Sequence, residues 1–244
     1  MLTRRLLLTA VAGTLGVSLL ARADLIRSPN MNLDHLILGC RDLDEGIDYL
    51  EMLSGYRAAP GGSHPGRGTR NALLKLDRQI YLEILAPDPQ QEHLTWHQEL
   101  PNLTEPTLVG WAMRHTNLTT LANVLLIRGI ACDGPLAGSR TRPDGQTYRW
   151  QTLKLADDRK GNLPFFIDWA EDSPHPASDA PGGCLLMEFA ASHSFLSMPP
   201  PARATGTRIS DKNTSQRRAK IAAKFGIFEL STRPVPQEVW VITK

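Results

Sequence analysis

His35 and Glu83 are polar residues set inside apolar, strand-like runs, LDHLILGC (residues 33–40) and YLEILA (81–86). An imidazole or carboxylate in such a run faces either solvent or a cavity, because burial without a partner is costly. His64 lies in a run with glycines at 61, 62, 66 and 68, where the backbone can approach a ligand closely. There it reads as an acid–base or substrate-orienting group, or as a turn-stabilising surface histidine. Asn71 follows and can bond the loop or a substrate carbonyl. Arg140 and Arg142 precede Asp144 and Gly145, a hairpin-turn signal. They can form a fork for a carboxylate or enediolate oxygen, or stand solvated beside the hairpin tip. Trp150 reads as cavity wall or core. Asp168 shares a face with Phe166 by period-2 alternation and is a candidate general base. His93 and His97 are four apart in residues 92–100, expected as a surface helix. Leu94 follows His93, so this is not an HExxH metal motif.

The elements that must position these groups form a rhythm. Residues 33–40 read as a strand. Asp42 can cap a helix, with Glu45 completing a capping box, and Leu43, Ile47, Leu50 and Leu53 form its apolar face. Gly55 ends that helix. A Gly/Pro-rich stretch at 60–68 precedes strands near 72–76 and 80–85. The pattern returns after residue 106: a strand at 108–115, a helix at 118–127 capped by Asn117 and ended by Gly129, then strands near 147–155 and 163–169. Asp42 matches Asn117 at an offset of 75, and Gly55 matches Gly129 at 74. The expected fold is α+β: two βαβββ modules, about 32–88 and 107–172, forming a curved, mostly antiparallel sheet cup with helices outside.

The order of these pieces resembles the vicinal oxygen chelate superfamily, and within it the glyoxalase-like domain family, over roughly residues 32–190. The residues that carry the resemblance are Leu33, Asp34 and His35, then GSHPGRGTRN (62–71), YLEI (81–84), SRTRPDG (139–145), Trp150, LPFFIDW (163–169), and His175 with Pro176. The fold hosts isomerases, lyases, dioxygenases and binding proteins, so the resemblance does not fix a reaction. It implies a divalent ion held from the first and last strands of each module, which places His35 and Glu83 as metal ligands for Fe, Mn, Zn or Ni. Module two departs from the pattern. Gly110 and Trp111 stand where a ligand matching His35 is expected, leaving Asp168, His64 or His115 as a third. In this reading His64 or Asp168 moves the proton, and Asn71, Arg140, Arg142 and Trp150 contact the substrate. The alternative is a non-catalytic protein that binds or sequesters a small molecule in the same cup. Dimers are common in the superfamily, so the resemblance makes a homodimer possible, although the sequence shows no interface.

Charge and composition bound the rest. The 244 residues carry a net charge of +2, but residues 24–195 carry −7 against +3 at the start and +6 over 196–244. An acidic body argues against a nucleic-acid-binding core. Three cysteines without a CxxC exclude a disulfide framework and a cysteine zinc site. Arg4 and Arg5, the apolar run 6–20 and the A-x-A sequence at 21–23 read as a cleaved signal peptide, leaving no stable membrane span. TRRLLL resembles the bacterial twin-arginine export motif, with Thr9 where that motif prefers Lys, and implies a periplasmic or extracellular protein. Residues 196–244 are expected as a mobile basic extension with a helix over 215–225 and a strand over 238–243, or as the product of a shifted reading frame.

Overall fold

The computed structural model describes residues 32–158, 161–191, 208–211 and 216–232. The signal sequence and the strand expected over 238–243 lie outside the described residues. Module one contains β1 (Asn32–Gly39), α1 (Leu43–Ser54), β2 (Ala59–His64), β3 (Thr69–Asp77) and β4 (Ile80–Pro87). Module two repeats the order with β5 (Thr107–Arg114), α2 (Leu118–Ile127), β6 (Cys132–Thr141), β7 (Thr147–Leu155) and β8 (Phe165–Trp169). All eight strands join one mixed sheet, in the order β2-β3-β4-β1-β5-β8-β7-β6. β1 runs parallel to β4 and β5 parallel to β8, while the modules meet through the antiparallel β1–β5 pair. The repeat in the sequence is thus a repeat in the sheet, and the curled sheet is the expected cup.

Helix α1 forms as its signals require. Asp42 accepts from the N–H groups of Asp44 and Glu45, and Gly55, at φ 75°, donates to the Glu51 carbonyl. The Glu45 carboxylate turns to Arg41 at 2.8 Å, so the reciprocal half of the capping box is replaced by an i,i+4 ion pair. Asp42→Ala is expected to lower stability by about 1 kcal/mol in a urea titration, the usual cost of an N-cap. Leu43, Ile47 and Leu50 are buried against the convex side of the sheet, in one core with Leu118, Leu121 and Leu125 of α2.

A second sheet shares that core. β9 (Leu185–Ala191), β10 (Arg208–Asp211), β11 (Arg218–Ala223) and β12 (Gly226–Ser231) lie in the order β10-β9-β11-β12. Phe189, Ala219, Ile221, Phe228 and Leu230 are buried with Trp111 and the helix leucines. The helix expected over 215–225 is therefore a hairpin. Ala219 and Ile221 turn inward between exposed Arg218 and Lys220, a period of 2 that pairing with β9 rewards.

Residues 92–100 also depart from expectation. Instead of a helix they form turns ending in a 3-10 turn at Leu100–Asn102, and His97 has φ 55°. The segment is tied to the loop between β2 and β3. The Thr95 N–H donates to the Arg67 carbonyl, the Thr95 hydroxyl donates to the Gly66 carbonyl, and Gln91 Oε1 accepts from the N–H groups of Gly66 and Gly68. Of these, the bond from the Thr95 N–H takes a backbone donor that a helix would have paired internally. The Gly/Pro-rich stretch is itself partly ordered as β2, which pairs with β3 through a bulge between Pro60 and Gly62. No described helix is long and apolar enough to cross a membrane.

Candidate functional site

Period-2 alternation brings the singled-out residues of module one, together with Tyr81, to a common face. His35 on β1, Tyr81 and Glu83 on β4 and Asn71 on β3 all point into the cup, a cavity of about 340 Å³ including its open mouth. His64 reaches it from the end of β2, and Arg140 and Trp150 come from β6 and β7 of the other module. The cup is therefore built across the repeat.

A single carboxylate organises the polar groups. Glu83 Oε2 stands 3.5 Å from His35 Nε2, and Oε1 stands 3.7 Å from His64 Nε2. The Asn71 amide donates to Oε1 at 2.6 Å, and its carbonyl oxygen accepts from Arg140 Nη1 at 3.1 Å. Behind His35, Nδ1 is 2.7 Å from Asp34 Oδ1. Asp34 is fully buried, and its other oxygen is bonded by Arg114, Trp169 and His175. A carboxylate so placed accepts from the Nδ1–H of the imidazole and holds the ring with Nε2 facing the cup. The His35 ring also stacks on Tyr81, with centroids 4.6 Å apart.

Protonation follows from these contacts. Burial alone would raise the pKa of Asp34, yet the hydrogen bonds and charges of His175 and His35 carry it well below the usual carboxylate range. Burial likewise opposes ionisation of Glu83. His35, His64, the Asn71 amide and Arg140 outweigh it, so its pKa is lowered. His64 is pushed down to about 4, by burial first and then by Arg140 and Arg67 against the pull of Glu83. At neutral pH the cup thus presents an anionic Glu83, a neutral His64 and two guanidiniums. The Tyr81 phenol, raised by burial and by Asp34 and Glu83, stays protonated as a donor.

Two candidates stand elsewhere. The alternation grouping Asp168 with Phe166 holds, but Phe166 packs in the core on the helix side, so the cup receives Ile167 and Trp169 instead. Asp168 accepts the Asn117 N–H at the start of α2, 2.9 Å away. Arg142 pairs with Asp144 and contacts Tyr148 and Asp179, closing the hairpin tip. His115 is buried outside the cup lining, and exposed His93 pairs with Glu92. Arg67, Tyr81 and Asp34 lie in segments that carry the resemblance but were given no role from the sequence. Arg67 is the sole charged residue in a glycine-rich run, and Asp34 is an acid next to His35 in an apolar strand. Both were readable signals.

The donor types at His35, Glu83 and His64 suit a divalent ion, but the surroundings do not complete a site for one. No group of three or more His, Cys, Asp or Glu among the described residues is arranged to hold a metal. Glu83 Oε1 and His64 Nε2 are engaged by Asn71, and Arg67 and Arg140 line the same cavity. Two guanidiniums favour an anion.

The fold and this cup define a vicinal oxygen chelate architecture. Residues 33–194 match the glyoxalase-like domain family, and the chain belongs to that family. Among solved structures, a hypothetical protein from Staphylococcus aureus aligns with a TM-score of 0.54 at 14% identity, covering 86% of this chain and 88% of that one. Methylmalonyl-CoA epimerase of Streptomyces coelicolor, in complex with 2-nitronate-propionyl-CoA, aligns at 18% identity and a TM-score of 0.44 over 59% of this chain and 99% of its own. The Mycobacterium tuberculosis epimerase aligns at 18% and 0.42, over 61% and 93%. No curated protein matches the chain.

Proposed function

We propose that the cup binds a small oxygen-rich anion, an α-oxo or hydroxy carboxylate, and that His35 moves a proton at the carbon beside its carbonyl. The observation that carries this reading is the buried Asp34–His35 pair, 2.7 Å apart, opening onto a cavity with two arginines. Arg67 and Arg140 hold the carboxylate and the developing enolate oxygen. The C–H bond breaks, its proton passes to His35 Nε2, and its electron pair moves onto the carbonyl oxygen. Anionic Glu83 and Asp34 stabilise the imidazolium that forms, and the return of the proton completes an isomerisation or exchange. The signal sequence supports an exported protein, delivered by the twin-arginine route and beginning at Asp24.

The test starts with a thermal-shift panel of small carboxylic acids, followed by NMR of each binder in deuterated water. Deuterium entering beside the carbonyl with the wild-type protein, and not with His35→Gln, is the expected result. Binding without exchange overturns the proton transfer and leaves a sequestering protein, a reading that Gly110 favours by standing where module two lacks a match for His35. Near-stoichiometric metal in protein purified without chelators, lost in the His35→Ala, Glu83→Ala double variant, overturns it differently and makes those two residues ligands.

A further inference from the structure

Next to the cup lies a second lobe of about 380 Å³ including its open mouth. Trp96 and Phe165 line both, with their rings edge-to-face at 5.8 Å. Phe165 also meets the His35 ring edge-on, with centroids 5.5 Å apart. One aromatic ring therefore stands between His35 and the lobe. β7 carries the wall from one to the other, since Thr152 lines the cup and Lys154, two residues on, lines the lobe.

The two differ in chemistry. The floor of the lobe is apolar, because Trp111, Leu155 and Leu163 are buried there as part of the main core. Its polar groups are engaged or exposed. Lys154 Nζ lies 4.4 Å from the centroid of the Trp96 ring, His97 Nδ1 lies 2.7 Å from Glu99 Oε1, and Asp158 is exposed. Gly110 keeps the lobe open. It pairs with Ile37 across β1 and β5, at the position that matches His35 in the repeat. A Cβ there would lie 3.3 Å from Ile37 Cδ1 and 3.6 Å from His97 Cε1, so a longer side chain would enter the lobe.

We infer that this lobe is the subsite for an apolar side chain of the ligand, so that the protein selects α-oxo or hydroxy carboxylates bearing a branched-alkyl or aryl tail over the shortest ones. The inference rests on the reading of the cup as a carboxylate site and not on the proton transfer. Arg67 and Arg140 hold the charged end. The tail passes Phe165 and Trp96 and covers Leu155, Leu163 and Trp111, removing their apolar surface from water. Gly110 is then the specificity-determining position, since its missing side chain is what admits the tail. Such a wall discriminates by size, because one methylene more or less in an apolar pocket changes affinity by about ten- to two-hundredfold.

The experiment titrates the full chain calorimetrically with pyruvate, 2-oxobutanoate, 4-methyl-2-oxopentanoate and phenylpyruvate. The expected result is that the two tailed acids bind at least about tenfold more tightly than pyruvate. In Gly110→Val that gain disappears while the Kd for pyruvate stays at the wild-type value. Equal affinity along the series, or a gain that survives Gly110→Val, overturns the subsite and leaves the cup reading standing. Failure of every acid to bind overturns both. On the wild-type chain, intermolecular NOEs from the tail of 4-methyl-2-oxopentanoate to the Leu155 and Leu163 methyls place it in the lobe. Their absence from the bound complex overturns the inference even where the variant fails to fold.

Discussion

His35→Gln is expected to slow proton exchange on a bound carboxylic acid by about two to four orders of magnitude, with its dissociation constant changed only a few-fold. Glutamine keeps a polar group between Asp34 and Glu83 but offers no titrating nitrogen. Asp34→Asn is the sharper companion. An asparagine can donate to Nδ1, which places the proton on Nε2, the wrong nitrogen for a base facing the cup. A loss of about a hundredfold or more with little change in KM is the expected signature, since the ligand never touches Asp34. Steady-state exchange rates over pH separate the two variants. An Asp34→Asn protein with wild-type turnover would remove the dyad from the mechanism.

Trp111→Ala is expected to cost about 3–5 kcal/mol, a large share of the stability of an ordinary domain. The indole is 1% exposed, donates to the Asn162 carbonyl at 3.2 Å, and meets Phe189 edge-on at 5.2 Å. It joins β5 of the main sheet to β9 of the second sheet, so its removal opens a cavity between two layers. The urea midpoint measures this, and Trp111→Phe should cost clearly less. An unchanged midpoint in the alanine variant would mean that the two sheets are not held together there.

The repeat was legible because caps, helix faces and terminal glycines are local. Asp42 and Asn117 cap helices 75 residues apart, and both modules follow. His35, His64 and Glu83 were legible as well, since a polar residue in an apolar or glycine-rich run signals a cavity, while Asn71, Arg140 and Trp150 were legible from the adjoining loop, the hairpin fork and the bulk of the indole. Asp168 was misplaced because alternation tells which residues share a face and not which face is concave. Only the register Met113–Phe166 and the packing of Phe166 under the helices decide that. The hairpin of β11 and β12 was missed for a related reason. Its strand partner, β9, lies some thirty residues earlier, and no local propensity announces a pairing over that span.

The curl of the main sheet has a consequence for the protein's behaviour in a crowded solution. β2 and β6 are its outermost strands, yet they face each other. A side chain on Gly61 would strike Arg140 and Asn71, and one on Gly62 would strike the Thr141 carbonyl. An incoming strand from another molecule finds that flank already occupied, which is how barrels escape edge-to-edge aggregation. Among the described residues, the outer strands of the smaller sheet are β10 and β12. Filling the seam with a bulkier residue at 62 is thus a way to turn a self-guarding cup into a sticky one.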